Sequence, residues 1–201
     1  MYSTKTATTN NQEFTGSYMP VGINENVTLK EVNVNKTPNG RDFLEIIFEN
    51  EQGQTATMTE WKNEKNMWIK TDEELQNRDN QQFGRILQII DAVYGERPEF
   101  EGNSFIDMIE WVKVELDAKK NEKKPLRLKV VYDNKGYTKV SSNGLFVEPM
   151  SETESQIKLF KRDLLERPIV ADAEPANDPL APQEMSIPAN EIHSDVDDLP
   201  F

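Results

Sequence analysis

Basic and aromatic residues alternate within LRLKVVYDNKGYTKV, the stretch that spans residues 126–140. Its basic residues are Arg127, Lys129, Lys135 and Lys139, and its aromatic residues are Tyr132 and Tyr137. Basic side chains neutralise phosphates and release their counterions, while aromatic faces stack on unpaired bases. The alternation therefore predicts contact with a single-stranded nucleic acid. For Tyr132 a core position is the alternative, because it shares strand parity with Leu128 and Val130.

A second candidate group surrounds the polar loop WKNEKNMW, residues 61–68. It contains two tryptophans and two lysines, namely Trp61, Lys62, Lys65 and Trp68. Trp61 shares parity with Thr57 and Thr59, so its ring is predicted to lie outside the core and to stack on bases. The alternative is a hydrophobic lid over the core. Arg41, beside an Asn-Gly turn, is a further candidate for phosphate contact from a loop.

Few residues in this composition could perform catalysis. The chain has no cysteine and one histidine, His193, which excludes thiolate metal sites, cysteine nucleophiles and histidine-based triads. Carboxylates such as Glu45 and Glu110 fall on the polar sides of predicted elements, where solvated surface acids are expected. We therefore predict a non-catalytic protein without cofactor or metal. A magnesium-dependent nuclease stays open, because its carboxylate ligands need no fixed spacing.

The net charge of −13 argues against a nucleic-acid partner, but the charge is unevenly distributed. Residues 171–201 hold eight acids and no Lys or Arg, which leaves 28 acids against 23 basic residues in residues 1–170. Residues 119–139 hold eight basic residues and two acids. The chain therefore combines a nearly balanced body, a basic segment and a strongly acidic end.

The elements that position these residues follow from hydrophobic periodicity. Three strands joined by Gly-containing turns are predicted at residues 27–35, 42–50 and 54–61. The alternation of the first strand slips by one residue between Leu29 and Val32, which predicts a bulge or a sharp bend.

Two helices are predicted next, followed by a return to strands. The first helix begins at the capping box Thr71–Glu74 and the second begins at Ser104. Strands are predicted at 126–133 and 137–147, and a last helix at 155–166. This mainly β, α+β order predicts a five-stranded Greek-key barrel of the OB type, with a helical insertion between strands three and four. Other small barrels or an α+β sheet share the same order.

Both ends of the chain are predicted to lie outside the folded domain, which is expected over residues 16–168. Residues 1–15 are rich in Thr and Asn and predict a flexible arm. Residues 169–201 combine acids with prolines and cannot bury enough apolar surface to offset the entropy of ordering, so a disordered tail is predicted. No apolar signal segment or membrane-length run is present, and a cytoplasmic protein without membrane contact is expected.

The chain ends in DVDDLPF, a candidate docking tip for partner proteins. Its candidate docking residues are Asp195, Asp197, Asp198, Leu199, Pro200 and Phe201. A basic-rimmed hydrophobic pocket can capture the terminal ring and carboxylate together, while the acids steer the encounter. This tip resembles the acidic C-terminal tip of bacterial and phage single-stranded DNA-binding proteins. The stretch LKVVYDNKGYTKV looks like phage-encoded members of that family with an OB-fold core.

The resemblance implies a non-catalytic protein that coats single-stranded DNA in phage replication, recombination or repair. It also implies that the tip recruits replication and recombination proteins and competes with DNA for the basic groove. The long helical insertion at residues 71–120 departs from the bacterial pattern and leaves the oligomeric state, monomer or dimer, open. An alternative from another class is an adaptor or inhibitor whose acidic body mimics DNA and whose tip docks on a host replication factor.

Overall fold

Six strands and two helices make up the part of the chain that the computed structural model describes, residues 17–168. In chain order they are β1 (Gly22–Lys36), β2 (Asp42–Glu49), β3 (Thr55–Trp61), α1 (Asp72–Tyr94), α2 (Phe105–Lys119), a 3-10 turn (Lys120–Glu122), β4 (Leu126–Tyr132), β5 (Thr138–Val140) and β6 (Val147–Pro149). The arm predicted for residues 1–15 and the tail predicted for residues 169–201 lie outside the described residues. Within residues 17–168, neither helix combines the length and the hydropathy of a membrane-spanning segment.

The strands form one antiparallel sheet with the order β3-β2-β1-β4-β5, and β6 pairs with β4 beside β5. The predicted mainly β class and the placement of both helices between the third and fourth strands are confirmed. The predicted strand at 137–147 is instead divided into β5 and β6 by an irregular loop in which Gly144 has a φ of 63°. Strands β3 and β5, at the two ends of the order, contact each other without ladder hydrogen bonds between their described residues.

Strand β1 bends where the sequence pattern slips. Its register against β2 shifts between Leu29 and Glu31, and its register against β4 shifts between Asn24 and Val27. A bulge inserts an unpaired residue and increases the local twist. This long strand can therefore pair with β4 through its first half and with β2 through its second half.

The helices begin at the predicted caps and pack against the sheet, α1 on β6 and α2 on β1 and β2. Thr71 and Glu74 form both hydrogen bonds of a capping box, and the Ser104 side chain accepts a hydrogen bond from the Asp107 N–H. Apolar residues of both helices, the strands and the loop before β6 share one core, among them Ile86, Ile90, Ile109, Val112, Val32, Leu44, Ile46 and Phe146. Gln82 and Arg85 of α1 hydrogen-bond to Glu60 near the end of β3, which positions the loop that follows it.

Residues 151–168 form an irregular covering segment over β4, not the helix predicted at 155–166. The Tyr132 N–H donates to the Leu164 carbonyl at 2.8 Å, and Ile157 is buried beneath the segment's exposed side chains. The spacing of apolar residues suited a helix, but the Phe160 N–H donates to the Asp163 carboxylate at 2.8 Å in a local turn. Such side-chain bonds to the backbone compete with helix formation. As a result, both faces of β4 are buried.

Candidate nucleic-acid interface

Lys129 lies fully buried beneath the covering segment. Its ammonium donates to the carbonyls of Asn143 at 2.7 Å and Lys158 at 3.0 Å, and to the Asp163 carboxylate at 3.1 Å. The Phe160 ring lies 4.8 Å from the same nitrogen. All three donors of the ammonium are therefore used inside the fold. This placement corrects the predicted phosphate contact of Lys129.

Arg127, on the same face of β4, is held in a similar way and is 9% exposed. Its Nη1 atom donates to Glu148 at 3.2 Å and to the Glu152 carbonyl at 2.9 Å, while Nε donates to Glu25 at 3.2 Å. The hydrogen bond to Glu148 is the main reason that the pKa of Arg127 is raised. Its predicted phosphate contact is corrected too, because its guanidinium stabilises the packing of β4 against neighbouring segments.

The turn between β4 and β5 does present basic and aromatic groups to solvent. Tyr137 is 63% exposed, and Lys135 and Lys139 are exposed beside it. Asp133 Oδ1 accepts hydrogen bonds from the N–H groups of Lys135 at 2.8 Å and Tyr137 at 2.9 Å, which fixes the turn. The backbone hydrogen bond from Tyr137 is the main reason that the pKa of Asp133 is lowered.

A cavity of about 390 Å³ next to this turn brings in a residue that the sequence analysis missed. Lys135 and Lys139 line it together with Arg162 of the covering segment, and half-buried Tyr132 forms part of its wall. Arg162 was overlooked because its segment was predicted to be a helix separate from the hairpin. We call Lys135, Tyr137, Lys139 and Arg162 the hairpin patch.

Trp61 forms the centre of a second group at the end of β3. It lies opposite Phe43 of β2, and the two rings are stacked with centroids 4.4 Å apart. The Arg41 guanidinium lies 5.3 Å from the Trp61 ring and donates to the Lys62 carbonyl at 3.1 Å. Trp61 is 37% exposed, as its predicted position outside the core requires. We call Arg41, Phe43, Trp61 and Lys62 the aromatic–cationic cluster.

Sequence reasoning missed Phe43, although a signal was present. Phe43 has the parity of Glu45 and Ile47, opposite to the buried Leu44, so it lies on the outer face of β2. Its contact with Trp61 depends on the cross-strand register, which the sequence does not state. The pairing of Phe43 with Trp61 makes the site a stacked pair of rings and not a single exposed tryptophan.

Helix α1 fixes the backbone behind the aromatic–cationic cluster. Gln82 donates from Nε2 to the Trp61 carbonyl and to Glu60, both at 2.8 Å. Arg85 donates to both oxygens of Glu60 at 2.8 Å, which completes a bidentate pair near the end of β3. Because the buried Glu60 carboxylate is paired at both oxygens, the position of Trp61 is held by a network and not by loop packing alone.

Trp68 and Lys65 lie farther along the loop. Trp68 is 79% exposed, and its backbone N–H donates to Asn66 Oδ1 at 2.8 Å. Lys65 forms an ion pair with Asp72 at 2.6 Å at the start of α1. No ring contact joins Trp68 to Trp61 in the part of the chain that the structure describes. Trp68 is thus accessible, but it is not part of the aromatic–cationic cluster.

The predicted docking tip and a possible metal site belong to neither of these two groups of residues. The docking tip at residues 195–201 falls outside the described residues, so its role stays a prediction. Within residues 17–168, no group of three or more His, Cys, Asp or Glu side chains is arranged to hold a metal ion.

No protein-family model matches the sequence, and a comparison with curated proteins finds no match either.

Proposed function

We propose that this protein binds single-stranded DNA without catalysis and without requiring a defined sequence. The observation that carries the proposal is the aromatic–cationic cluster, in which the partly exposed Trp61 ring is stacked on Phe43 beside Arg41 and Lys62. Stacking of a base on an aromatic ring contributes about 1–3 kcal/mol and tolerates any base. The bases of a duplex are stacked on each other, so an exposed ring of this kind favours an unpaired strand.

The energies of the competing contacts allow a base to reach Trp61. The Arg41 guanidinium lies over the ring at an exposed site, where a cation–π contact contributes about 0.5–1 kcal/mol. A stacked base gains about 1–3 kcal/mol, so it can displace the guanidinium from the ring. Once displaced, Arg41 keeps its charge beside the strand and can pair with a phosphate.

The strand order supports an OB-type barrel as the proposed fold. The order β3-β2-β1-β4-β5, contact between β3 and β5, and a helical insertion before β4 all suit that topology. OB folds bind oligonucleotides on the face of strands two and three and at the loops between strands one and two and between strands four and five. Phe43 and Trp61 lie on β2 and β3, Arg41 lies in the loop between β1 and β2, and Lys135 and Tyr137 of the hairpin patch lie in the loop between β4 and β5.

The phosphate-contacting residues proposed now differ from those that the sequence suggested. Exposed basic residues of the cluster and the hairpin patch replace the two buried ones of β4. The proposed set is Arg41, Lys62, Lys135, Lys139 and Arg162, with Lys65 and Trp68 as accessible neighbours.

Removing a basic residue of the hairpin patch is expected to reduce the salt dependence of DNA binding. Each lost phosphate contact should make the slope of log K against log salt less steep by about 0.7, because fewer counterions are released. The variants are Lys139→Ala and Arg162→Ala, measured by titrating a fluorescent oligo-dT at several salt concentrations. Lys119→Ala, which removes an exposed ion pair at the end of α2, is the control and should leave the slope unchanged. Unchanged slopes in both patch variants would exclude the hairpin patch from the interface.

The acidic tip is proposed to recruit proteins of DNA replication, recombination or repair and to compete with DNA for the basic residues. Its support is the sequence DVDDLPF itself. Deleting residues 195–201 is expected to tighten binding of oligo-dT at low salt, because acids that compete with phosphates are removed. Phe201→Ala is the control: it keeps the acidic side chains and should leave DNA affinity unchanged. Equal affinities of the deletion variant and the full chain would contradict the competition.

A further inference from the structure

A groove separates the first half of α1 from residues 100–105 and has a volume of about 720 Å³. That volume lies within the range of about 300–1,000 Å³ that small-molecule sites occupy. Polar side chains of α1 and the preceding loop form what we call its polar wall, and Phe83, Phe100 and Phe105 form what we call its aromatic wall. Glu101 and Asn103 also line the groove. We call it the amide groove and define it by Asn63, Gln76, Asp79, Asn80, Phe83 and Phe100.

The amide groove adjoins the two basic residues of the aromatic–cationic cluster. Lys62 lines the groove and also lines a neighbouring cavity of about 480 Å³ that includes Arg41. Ser104 and Phe105 belong to the walls of both cavities as well. A strand that stacks a base on Trp61 and contacts Lys62 can therefore place a neighbouring base in the amide groove.

Hydrogen bonds fix two acceptor atoms on the polar wall of the groove, which also carries the amide groups of Gln76 and Asn80. Asn63 Nδ2 donates to Asp79 Oδ1 at 2.9 Å and to Gln82 Oε1 at 3.3 Å. Gln82 is buried and held in turn by Glu60 and the Trp61 carbonyl, which sets the orientation of this network. Asn63 Oδ1 and Asp79 Oδ2 make no hydrogen bond to another atom within residues 17–168. Both are acceptor atoms.

The aromatic wall is packed from behind. The Phe100 ring is stacked on Trp111 with centroids 4.7 Å apart, and it meets Phe83 edge-on at 5.7 Å. These contacts hold the ring in place before any ligand arrives, so little side-chain entropy is lost when a base packs against it. A flat ligand with polar edges can pack against these rings while one edge reaches the acceptors of the same groove.

We infer that the amide groove takes one unpaired base of the bound strand and prefers cytosine to uracil or thymine; the inference rests on the proposed binding of single-stranded DNA. Cytosine presents the N4 amino group where uracil and thymine present the O4 acceptor. At ring position four, the Asn63 and Asp79 oxygens can accept a hydrogen bond from the cytosine amino group, whereas they would meet the O4 atom of uracil or thymine as acceptor against acceptor. Binding is therefore tolerant of sequence at Trp61 and selective at one neighbouring position.

The test compares oligo-dC with oligo-dU of equal length, because this pair differs in the groups at ring positions three and four and lacks the thymine methyl group. The full chain is expected to bind oligo-dC more tightly by about threefold to tenfold, the effect of one hydrogen bond. Asp79→Asn replaces one acceptor oxygen by a donor and should abolish that preference. Glu73→Gln removes a charge from the exposed first turn of α1, outside the groove, and should retain it.

Each result has a distinct meaning. A preference for oligo-dC that is lost in Asp79→Asn and kept in Glu73→Gln supports the inference. Equal binding of both oligonucleotides by the parent chain, or a preference that persists in Asp79→Asn, overturns the inference and leaves strand binding intact. Failure to bind any oligonucleotide overturns the proposed function together with the inference.

Discussion

Replacing Lys129 by methionine is expected to lower the free energy of unfolding by about 3–5 kcal/mol, because it leaves a buried carboxylate without its cation. Asp163 would keep its bonds from Asn143 and the Phe160 N–H but would lose the ammonium at 3.1 Å. The two carbonyls that Lys129 now satisfies would also lose their donor. Urea unfolding followed by circular dichroism measures the difference.

The matched control for this experiment is Lys139→Met on the neighbouring strand. Lys139 is exposed, so the same substitution there should change stability by no more than about 0.5 kcal/mol. DNA binding should show the opposite order: Lys139→Met weakens it, and Lys129→Met, studied where the protein is folded, does not. A Lys129 variant of parental stability with weakened DNA affinity would contradict the structural role assigned to this residue.

The same ion pair predicts a loss of stability in acid. Burial raises the pKa of Asp163, but hydrogen bonds from the Phe160 N–H, the Asn143 amide and the Lys129 ammonium outweigh it and hold that pKa below its usual range. A carboxyl group with a lowered folded-state pKa contributes stability above its unfolded pKa of about 3.9, and the contribution is lost as pH falls through the folded value. Urea unfolding from pH 7 downward should therefore show a shallower decline below about pH 4 in Asp163→Asn than in the parent chain.

Replacing Trp61 by alanine is expected to have the largest effect on DNA affinity of any single substitution. Loss of one stacked base reduces the binding free energy by about 1–3 kcal/mol, which corresponds to about fivefold to 150-fold weaker binding. The loss should appear with oligonucleotides of any composition, since stacking tolerates every base. Titration of a fluorescent oligo-dT by anisotropy gives the affinity directly.

Two controls separate stacking from folding in this experiment. Trp61→Phe keeps an aromatic face against Phe43 and should retain most of the affinity, whereas Trp61→Ala should not. Both variants are expected to fold, because the Glu60–Arg85 ion pair beside this position does not involve the ring. Circular dichroism checks that they do. An alanine variant that is folded and binds oligo-dT with parental affinity would contradict the placement of a base on Trp61.

Features that depend on local sequence could be predicted from it. The capping box at Thr71, the cap at Ser104 and the bulge after Leu29 arise from neighbouring residues, and all three are present in the structure. The outward position of Trp61 followed from strand parity. Alternation along a strand decides which side chains share a face, so these predictions needed no knowledge of distant segments.

Features that depend on distant segments could not be predicted. Parity placed Arg127 and Lys129 on one face of β4, but that face is exposed only if no other segment covers it. The residues that bury them are distant in sequence: Asp163 lies 34 positions from Lys129, and Glu148 lies 21 positions from Arg127. Arg162 entered the interface for the same reason, because the covering segment brings it to the hairpin. The alternation of charged residues along a strand therefore predicts which side chains share a face, whereas tertiary packing decides whether that face is buried.

Binding of single-stranded DNA by the full chain is the central claim, and intrinsic tryptophan fluorescence measures it most directly. The chain has three tryptophans, of which Trp61 and Trp68 are exposed in the structure. Adding oligo-dT at low salt should quench their emission saturably, salt should reverse the quenching, and duplex DNA of equal length should compete poorly. Unchanged emission, together with no anisotropy change of a labelled oligo-dT at low salt, would contradict the account.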